Sequence, residues 1–296
     1  MAAGTGVVRF RRDGLNSMVQ AINEAIAVAF MAKKTRSSTF ARLRWKSARM
    51  PRRTPGTFRF PFGCVRYVDV QSLMGQYSDI FIKRIYDVSG LGDAPCIVDC
   101  GGNVGLSVIW FKQRYPHSKV IVFEADPIIA DVLAANVRNL RLEAVEVVQA
   151  AVGATTGPVT FQADGADGGR IDTGTGLTVG SVRLSDRIDQ PVDILKIDIE
   201  GSEYAVINDL CHSGKIGLIR NIICELHGYD ATQAQMGALW NNLSNAGFRM
   251  TVASGGTAEW MPGPPDSTPF PAARSAKFLL QMHAWRPEMC GRHGKP

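Results

Sequence analysis

Four stretches of this chain place side chains able to do chemistry at or just after short apolar runs. The first is Asp99-Cys-Gly101-Gly102-Asn103-Val104-Gly105, and the second ends in Glu124-Ala125. The third reads Lys196-Ile-Asp198-Ile-Glu200-Gly-Ser-Glu203, and the fourth holds Glu225 and His227. Glycine after a strand lets the backbone approach a ligand closely and lets a helix begin at once, with its free N–H groups exposed as donors. Carboxylates and a histidine beside such a turn are groups that accept from hydroxyls, balance a cation or move a proton.

Two nucleotide cofactors use a turn of this kind. A dinucleotide needs G-x-G-x-x-G to seat its pyrophosphate on the helix N-terminus. The spacing here is Asp99-x-Gly101-x-x-x-Gly105 instead. A carboxylate at the strand end repels a pyrophosphate and suits an ammonium group. S-adenosylmethionine, which carries an ammonium and a sulfonium and no phosphate, is the better match. A nicotinamide-dependent oxidoreductase is the alternative that the missing glycine pattern disfavours. Glu124 can accept from both ribose hydroxyls, a role shared by the two cofactors. The cofactor set expected from these positions is Asp99, Gly101, Gly102, Asn103, Gly105, Glu124, Ala125, Ala151 and Asp198.

Elements that put these residues on one edge can be traced in the pattern. Apolar runs at Cys96–Asp99, Lys119–Glu124, Val145–Ala151, Asp193–Asp198 and Leu218–Glu225 read as buried strands. Helical spacing follows at Leu106–Arg114, Asp131–Leu140, Ser202–Cys211 and Gln233–Ala246, with Gly247 as C-cap. Phe248–Val252 and Lys277–His283 supply two last strands, and Val159–Gln162 with Leu177–Leu184 an antiparallel excursion. Alternating strands and helices predict a mostly parallel sheet covered on both faces, with ligands at the carboxyl ends of its strands. Upstream, Leu15–Phe30 has helical spacing, Thr57–Val70 alternates as a hairpin would, and Gln76–Val88 is again helical. Ala163–Gly176 and Gly255–Pro271 read as loops rich in Gly with Asp or Pro.

Composition narrows the class further. With 45% hydrophobic and 20% charged residues, the chain is neither disordered nor fibrous. No apolar run approaches the roughly 18 residues of a membrane span. The six cysteines form no CxxC pair, which fits buried free thiols in a reducing cytoplasm and no zinc site. Residues 1–59 carry 13 Lys/Arg against two acids, a net +11, which leaves −5 for the remainder. The expected organisation is a basic accessory segment at 1–59, connecting elements at 60–90, a cofactor-binding domain at 91–285 and a tail at 286–296. The basic segment is suited to an anionic substrate, a carrier protein or a membrane surface. A nucleic-acid methyltransferase is disfavoured, because the segment shows no RNA-binding module and few stacking aromatics. A non-catalytic relative is disfavoured by the intact turn and acidic strand ends. Oligomeric state is not legible.

Taken together, Ile97-Val-Asp99-Cys-Gly-Gly-Asn-Val-Gly105, Val122-Phe-Glu124-Ala-Asp126-Pro127, Val192-Asp-Ile-Leu-Lys196-Ile-Asp198-Ile-Glu200-Gly-Ser-Glu203 and Ile223-Cys-Glu225-Leu-His227-Gly228 resemble the FkbM-type family of S-adenosylmethionine-dependent methyltransferases. The resemblance runs from about Val70 to His283. It implies an α/β, class I methyltransferase (Rossmann-like) fold with seven strands. It also implies O-methylation of a hydroxyl on a sugar, glycolipid or natural-product acceptor.

Methyl transfer to an alcohol needs a base, because a protonated alcohol is a poor nucleophile. The strand-end candidates are Asp198, Glu200, Glu225 and His227, of which His227, Glu225 and Asp198 are taken as the catalytic set. His227, expected two residues beyond the fifth strand, titrates near neutrality when unperturbed. A second mechanism gathers Asp198, Glu200 and Glu225 around a divalent cation that polarises the hydroxyl. Lys196 lies within a strand and calls for a carboxylate partner, while Glu203 reads as charge at a helix N-terminus.

Overall fold

The computed structural model of the protein describes residues 33–171, 174–228, 233–254 and 278–287. The helix expected at Leu15–Phe30 and the loop at Gly255–Pro271 lie outside them. The described chain opens with a helix, α1 (residues 33–47), which turns the buried Leu43 inward. A hairpin follows, β1 (Gly56–Phe60) against β2 (Gly63–Tyr67). Its alternation buries Phe58, Phe60, Val65 and Tyr67 on one face.

The helical spacing read at Gln76–Val88 belongs to an element that starts earlier. Helix α2 (Val70–Tyr77) begins at Val70 because Asp69 caps it, accepting from the N–H groups of Gln71 and Ser72. It runs into a π-helical turn, Ser78–Lys83, which Arg84 ends in the left-handed conformation. Ile85 and Tyr86 therefore lie beyond the helix.

The main sheet uses β3 (Cys96–Cys100), β4 (Lys119–Glu124), β5 (Val145–Gln149), β10 (Val192–Ile197), β11 (Ile219–Gly228), β12 (Arg249–Ser254) and β13 (Phe278–Trp285). Their spatial order is β12-β13-β11-β10-β3-β4-β5, parallel except for β13, which runs antiparallel between β12 and β11. Crossover helices α3 (Leu106–Arg114), α4 (Pro127–Asn139), α5 (Glu203–His212) and α6 (Gln233–Asn245) complete the layers. The expected antiparallel excursion forms its own four-stranded sheet: β6 (Ala151–Gly153), β7 (Gly157–Gln162), β8 (Arg170–Ile171) and β9 (Leu177–Arg183).

Successive residues of a strand face opposite sides, so each buried strand feeds two cores. Ile97 and Ile194 pack with the hairpin, α2, α3 and α4, while Val98 and Leu195 pack with α5 and α6. The hairpin thus belongs to the same core as the sheet. An aromatic stack of Phe60, Phe62, Tyr77 and Phe81, with Trp110 edge-on to Phe81, joins the two. All described cysteines are free, and Cys64 is exposed rather than buried. Among the described residues, no helix is long and apolar enough to cross a membrane.

Asn136 of α4 fixes the hairpin to this body. Its Oδ1 accepts from the Arg66 N–H at 2.8 Å, and its Nδ2 donates to the carbonyls of Arg66 at 2.9 Å and Val104 at 2.8 Å. The side chain is fully buried, so removal strands polar groups away from water. Asn136→Ala is expected to cost about 2–4 kcal/mol, the range for orphaning two or more buried groups. Urea unfolding monitored by circular dichroism checks this, with an unchanged m-value expected.

Candidate functional site

The register of β10 against β3 sets Lys196 beside Asp99. Both side chains are buried, and the ammonium lies 3.2 Å from Asp99 Oδ1 and 3.6 Å from Asp198 Oδ2. Lys196 Nζ also donates to the Gly101 carbonyl at 2.5 Å. Burial opposes the charge on this lysine, but Asp99, Tyr86 and Asp198 outweigh it and hold its pKa well above the ordinary value. Asp99 Oδ2 accepts from the Ser107 hydroxyl at 2.5 Å, which links the pair to the start of α3. The carboxylate expected to meet a cofactor ammonium therefore spends its charge on Lys196 instead. It sits behind the turn and does not line the cavity.

The turn itself is shaped by close backbone packing. Gly101 has φ +85°, and a Cβ there would come within 1.9 Å of the Asp198 carbonyl oxygen. A Cβ on Gly102 would meet Val122 at 2.2 Å, and one on Gly105, at φ +95°, would meet Leu133 at 2.6 Å. Gly105 is thus a packing residue of the α3 start and does not face the cavity. Asn103 adopts φ +45°, and its N–H donates to Glu124 Oε2 at 2.8 Å. The Asp126 N–H donates to Glu124 Oε1 at 3.0 Å. Burial lifts Glu124 to a pKa of about 7, even though both N–H groups favour the carboxylate.

One cavity opens over this edge of the sheet. Gly101, Gly102, Asn103, Glu124, Ala125, Ala151 and Asp198 all line it, as expected from their strand-end positions. So do residues that the sequence pattern did not single out: Tyr86 after the π-helical turn, Gln76 and Asp79 within those helices, and Asp164, Ala166, Asp167 and Gly169 from the Gly/Asp loop. The loop's composition marked only a loop, and nothing in the sequence marked Tyr86, which follows the π-helical turn.

Glu225 and Glu200 line the cavity beside Asp198; His227 does not. Pairing with β13 extends β11 to Gly228, so Glu225 and His227 lie within the strand, opposite Gln281 and Leu279, and not beyond it. His227 Nδ1 lies 2.8 Å from Glu203 Oε1, and Nε2 lies 3.4 Å from Glu200 Oε2. Burial would favour the neutral ring, yet the two carboxylates push its pKa up to about 12. Glu203 is more than a helix-end charge. It is completely buried, and the same Oε1 accepts from the N–H groups of Ile199 and Gly201 at 3.2 and 3.0 Å. It thereby holds the turn on which Glu200 sits at φ +55°. Burial, reinforced by the charge of Asp198, raises Glu225 to about 8.

The cluster expected around a divalent cation is composed differently in the structure. The groups the structure gathers within 4.8 Å are Asp198, Glu200 and His227, with the histidine in place of Glu225. Both ring nitrogens of His227 face carboxylates, so the histidine is engaged as an ion-pair partner of Glu200 and Glu203. An adenosine ligand fits better: a glycine turn with no room for Cβ atoms, a buried carboxylate at the second strand end, and an acidic rim. Strand order and site together define a class I S-adenosylmethionine-dependent methyltransferase.

Comparison with known proteins specifies the family. Residues 99–250 match the model described as the methyltransferase FkbM domain, and the chain belongs to that family. The chain is 29% identical over 230 residues to methyltransferase sdnD of Sordaria araneosa, covering 63% of this chain and 85% of the relative. It is 28% identical over 225 residues to the 31-O-demethyl-FK506 methyltransferase FkbM of Streptomyces tacrolimicus, covering 62% and 86%. The crystal structure of methyltransferase FkbM from Methylobacillus flagellatus superposes with a TM-score of 0.42 at 16% identity, covering 72% of this chain and 54% of that one.

Glu124→Ala is expected to weaken S-adenosylhomocysteine binding tenfold or more, by loss of charge-assisted ribose hydrogen bonds. In the wild type, affinity should fall as pH drops below about 7, because protonation removes the acceptor charge of Glu124. Calorimetric titration across pH 6–8.5 checks both, and the variant should lose the pH dependence.

Proposed function

We propose that the protein transfers a methyl group from S-adenosylmethionine to a hydroxyl of an uncharged small molecule, of the sugar or natural-product class, with Glu225 as the base. The observation that carries this reading is the position of Glu225: a cavity-lining carboxylate whose pKa is raised to about 8 by burial and Asp198. A base matched to neutral pH takes a proton more effectively than an ordinary carboxylate. His227 serves this reading poorly as a base, since a ring held protonated accepts nothing further. It is assigned the role of orienting Glu200 and the turn behind Asp198. The printed name of one relative, a 31-O-demethyl-FK506 methyltransferase, supports an oxygen acceptor on a natural product.

When bound, S-adenosylmethionine supplies the methyl group on a sulfonium that leaves as a neutral thioether. Gly101, Gly102, Asn103 and Glu124 hold the adenosine end, with Ala125 and Ala151 as apolar lining. As the acceptor oxygen bonds to carbon, its proton passes to Glu225. Tyr86 and Asp198, on the same cavity wall, are placed to orient the acceptor hydroxyl. Carboxylates on that wall disfavour a phosphorylated or carboxylated acceptor by like-charge repulsion.

Glu225→Gln is expected to lower kcat by about 10²-fold or more, the usual contribution of a general base, and to change S-adenosylhomocysteine affinity little. Turnover of the wild type should rise with pH through about 8, while the residual activity of the variant stays flat. Screening neutral polyhydroxyl compounds with labelled methyl donor tests the acceptor class. A product methylated on nitrogen, carbon or RNA would overturn the reading.

A further inference from the structure

We infer that Arg52 and Arg53, in the turn after α1, are positioning residues for the cofactor: they hold the 164–169 wall of the cavity against the glycine turn. This rests on the cavity being the S-adenosylmethionine site and goes beyond the assignment of residues that line it.

The wall is a weak structure on its own. It reads Asp164-Gly-Ala-Asp-Gly-Gly169, with three glycines and one small apolar side chain, the buried Ala166. Such a segment loses much conformational freedom on ordering and has little apolar surface to offset the loss. Its placement therefore depends on polar ties. One comes from the glycine turn, where Asn103 Nδ2 donates to the Ala166 carbonyl at 2.9 Å. A second joins Ser72 of α2 to Asp167, and the others come from the turn after α1. Arg53 Nε donates to the Asp164 carbonyl, and Arg52 pairs with Asp167 at 3.5 Å.

The two arginines are themselves anchored in the body. Arg52 Nε donates to Asp69 Oδ2 at 2.8 Å, and the Arg53 N–H donates to the same oxygen at 2.5 Å. Asp69 is buried and also caps α2, so it forms a rigid post. Arg53 sits at φ +59°, a conformation that a non-glycine residue rarely adopts and that the surrounding structure must impose. That backbone sends its side chain over Gly165, itself at φ +71°, whose missing Cβ would lie 3.5 Å from Arg53 Cδ. Strain in a residue that ties two distant segments together is a common mark of a functional constraint. The segment containing these arginines thus contributes to the site through the loop, with neither side chain lining the cavity.

The test uses the full chain and S-adenosylhomocysteine as probe, with dissociation rates from stopped-flow fluorescence. Arg53→Ala is expected to speed dissociation about tenfold, the factor for losing one charge-assisted hydrogen bond, and Asp167→Asn about two- to threefold, because its pair with Arg52 is half-exposed. Arg53→Lys should recover most of the loss, and the ligand-free Tm should stay unchanged. Hydrogen exchange over 164–169 should rise in both weakened variants. Arg44→Ala, which removes a charge from exposed α1 without reaching the loop, should behave as wild type. Wild-type dissociation in Arg53→Ala and Asp167→Asn would overturn the inference, as would faster dissociation accompanied by a lowered ligand-free Tm. No binding by the wild type would overturn the cofactor assignment itself.

Discussion

The buried contact between Lys196 and Asp99 is the constraint on which the site depends. Two charges inside a sheet are costly unless each finds partners, and a lone lysine in β10 would be strongly destabilising. Here the ammonium bridges the end of one central strand to the turn after the next, through Asp99 and the Gly101 carbonyl. The turn is thereby fixed from behind, and its front is left free for a ligand. Gly101 completes the arrangement, because any side chain there would collide with the backbone at Asp198.

Beyond that pair, the site is ordered by carboxylates whose surroundings assign them different tasks. Glu203 is buried and spent on backbone N–H groups and His227; Glu124 accepts from the turn; Glu225 faces the cavity with its pKa raised. His227 is held as a cation between Glu200 and Glu203, which neutralises part of a crowded acidic cluster. The remaining negative rim suits a sulfonium-bearing cofactor. This division of labour follows from burial and neighbours, since the side chains are chemically the same.

Much of the fold could be read in advance because its signals are local. Period-two burial marked the hairpin, buried apolar runs marked β3, β4 and β10, and glycine spacing marked the first crossover. The start of α2 was misplaced because its cap, Asp69, stood one residue before a position read as strand. The place of His227 relative to the strand end is not legible in the sequence, because the length of β11 is set by pairing with β13, which lies far along the chain. Sequence alone points Asp99 at the ligand, because a strand-end carboxylate and a buried strand lysine are each visible there, but their contact is not.

Residue types and their spacing were enough to determine the alternating architecture, the glycine turn after the first buried strand, the carboxylate at the second strand end and the family. These depend on short-range rules: side-chain period, glycine conformation and the chemistry of strand ends. Tertiary structure decided which carboxylate is buried, which is paired and which meets the cavity, and it brought Tyr86 and the 164–169 segment to the cavity, with Arg52 and Arg53 against that segment. Proton affinity and orientation depend on neighbours brought together from distant parts of the chain, and those neighbours exist only once the sheet has formed.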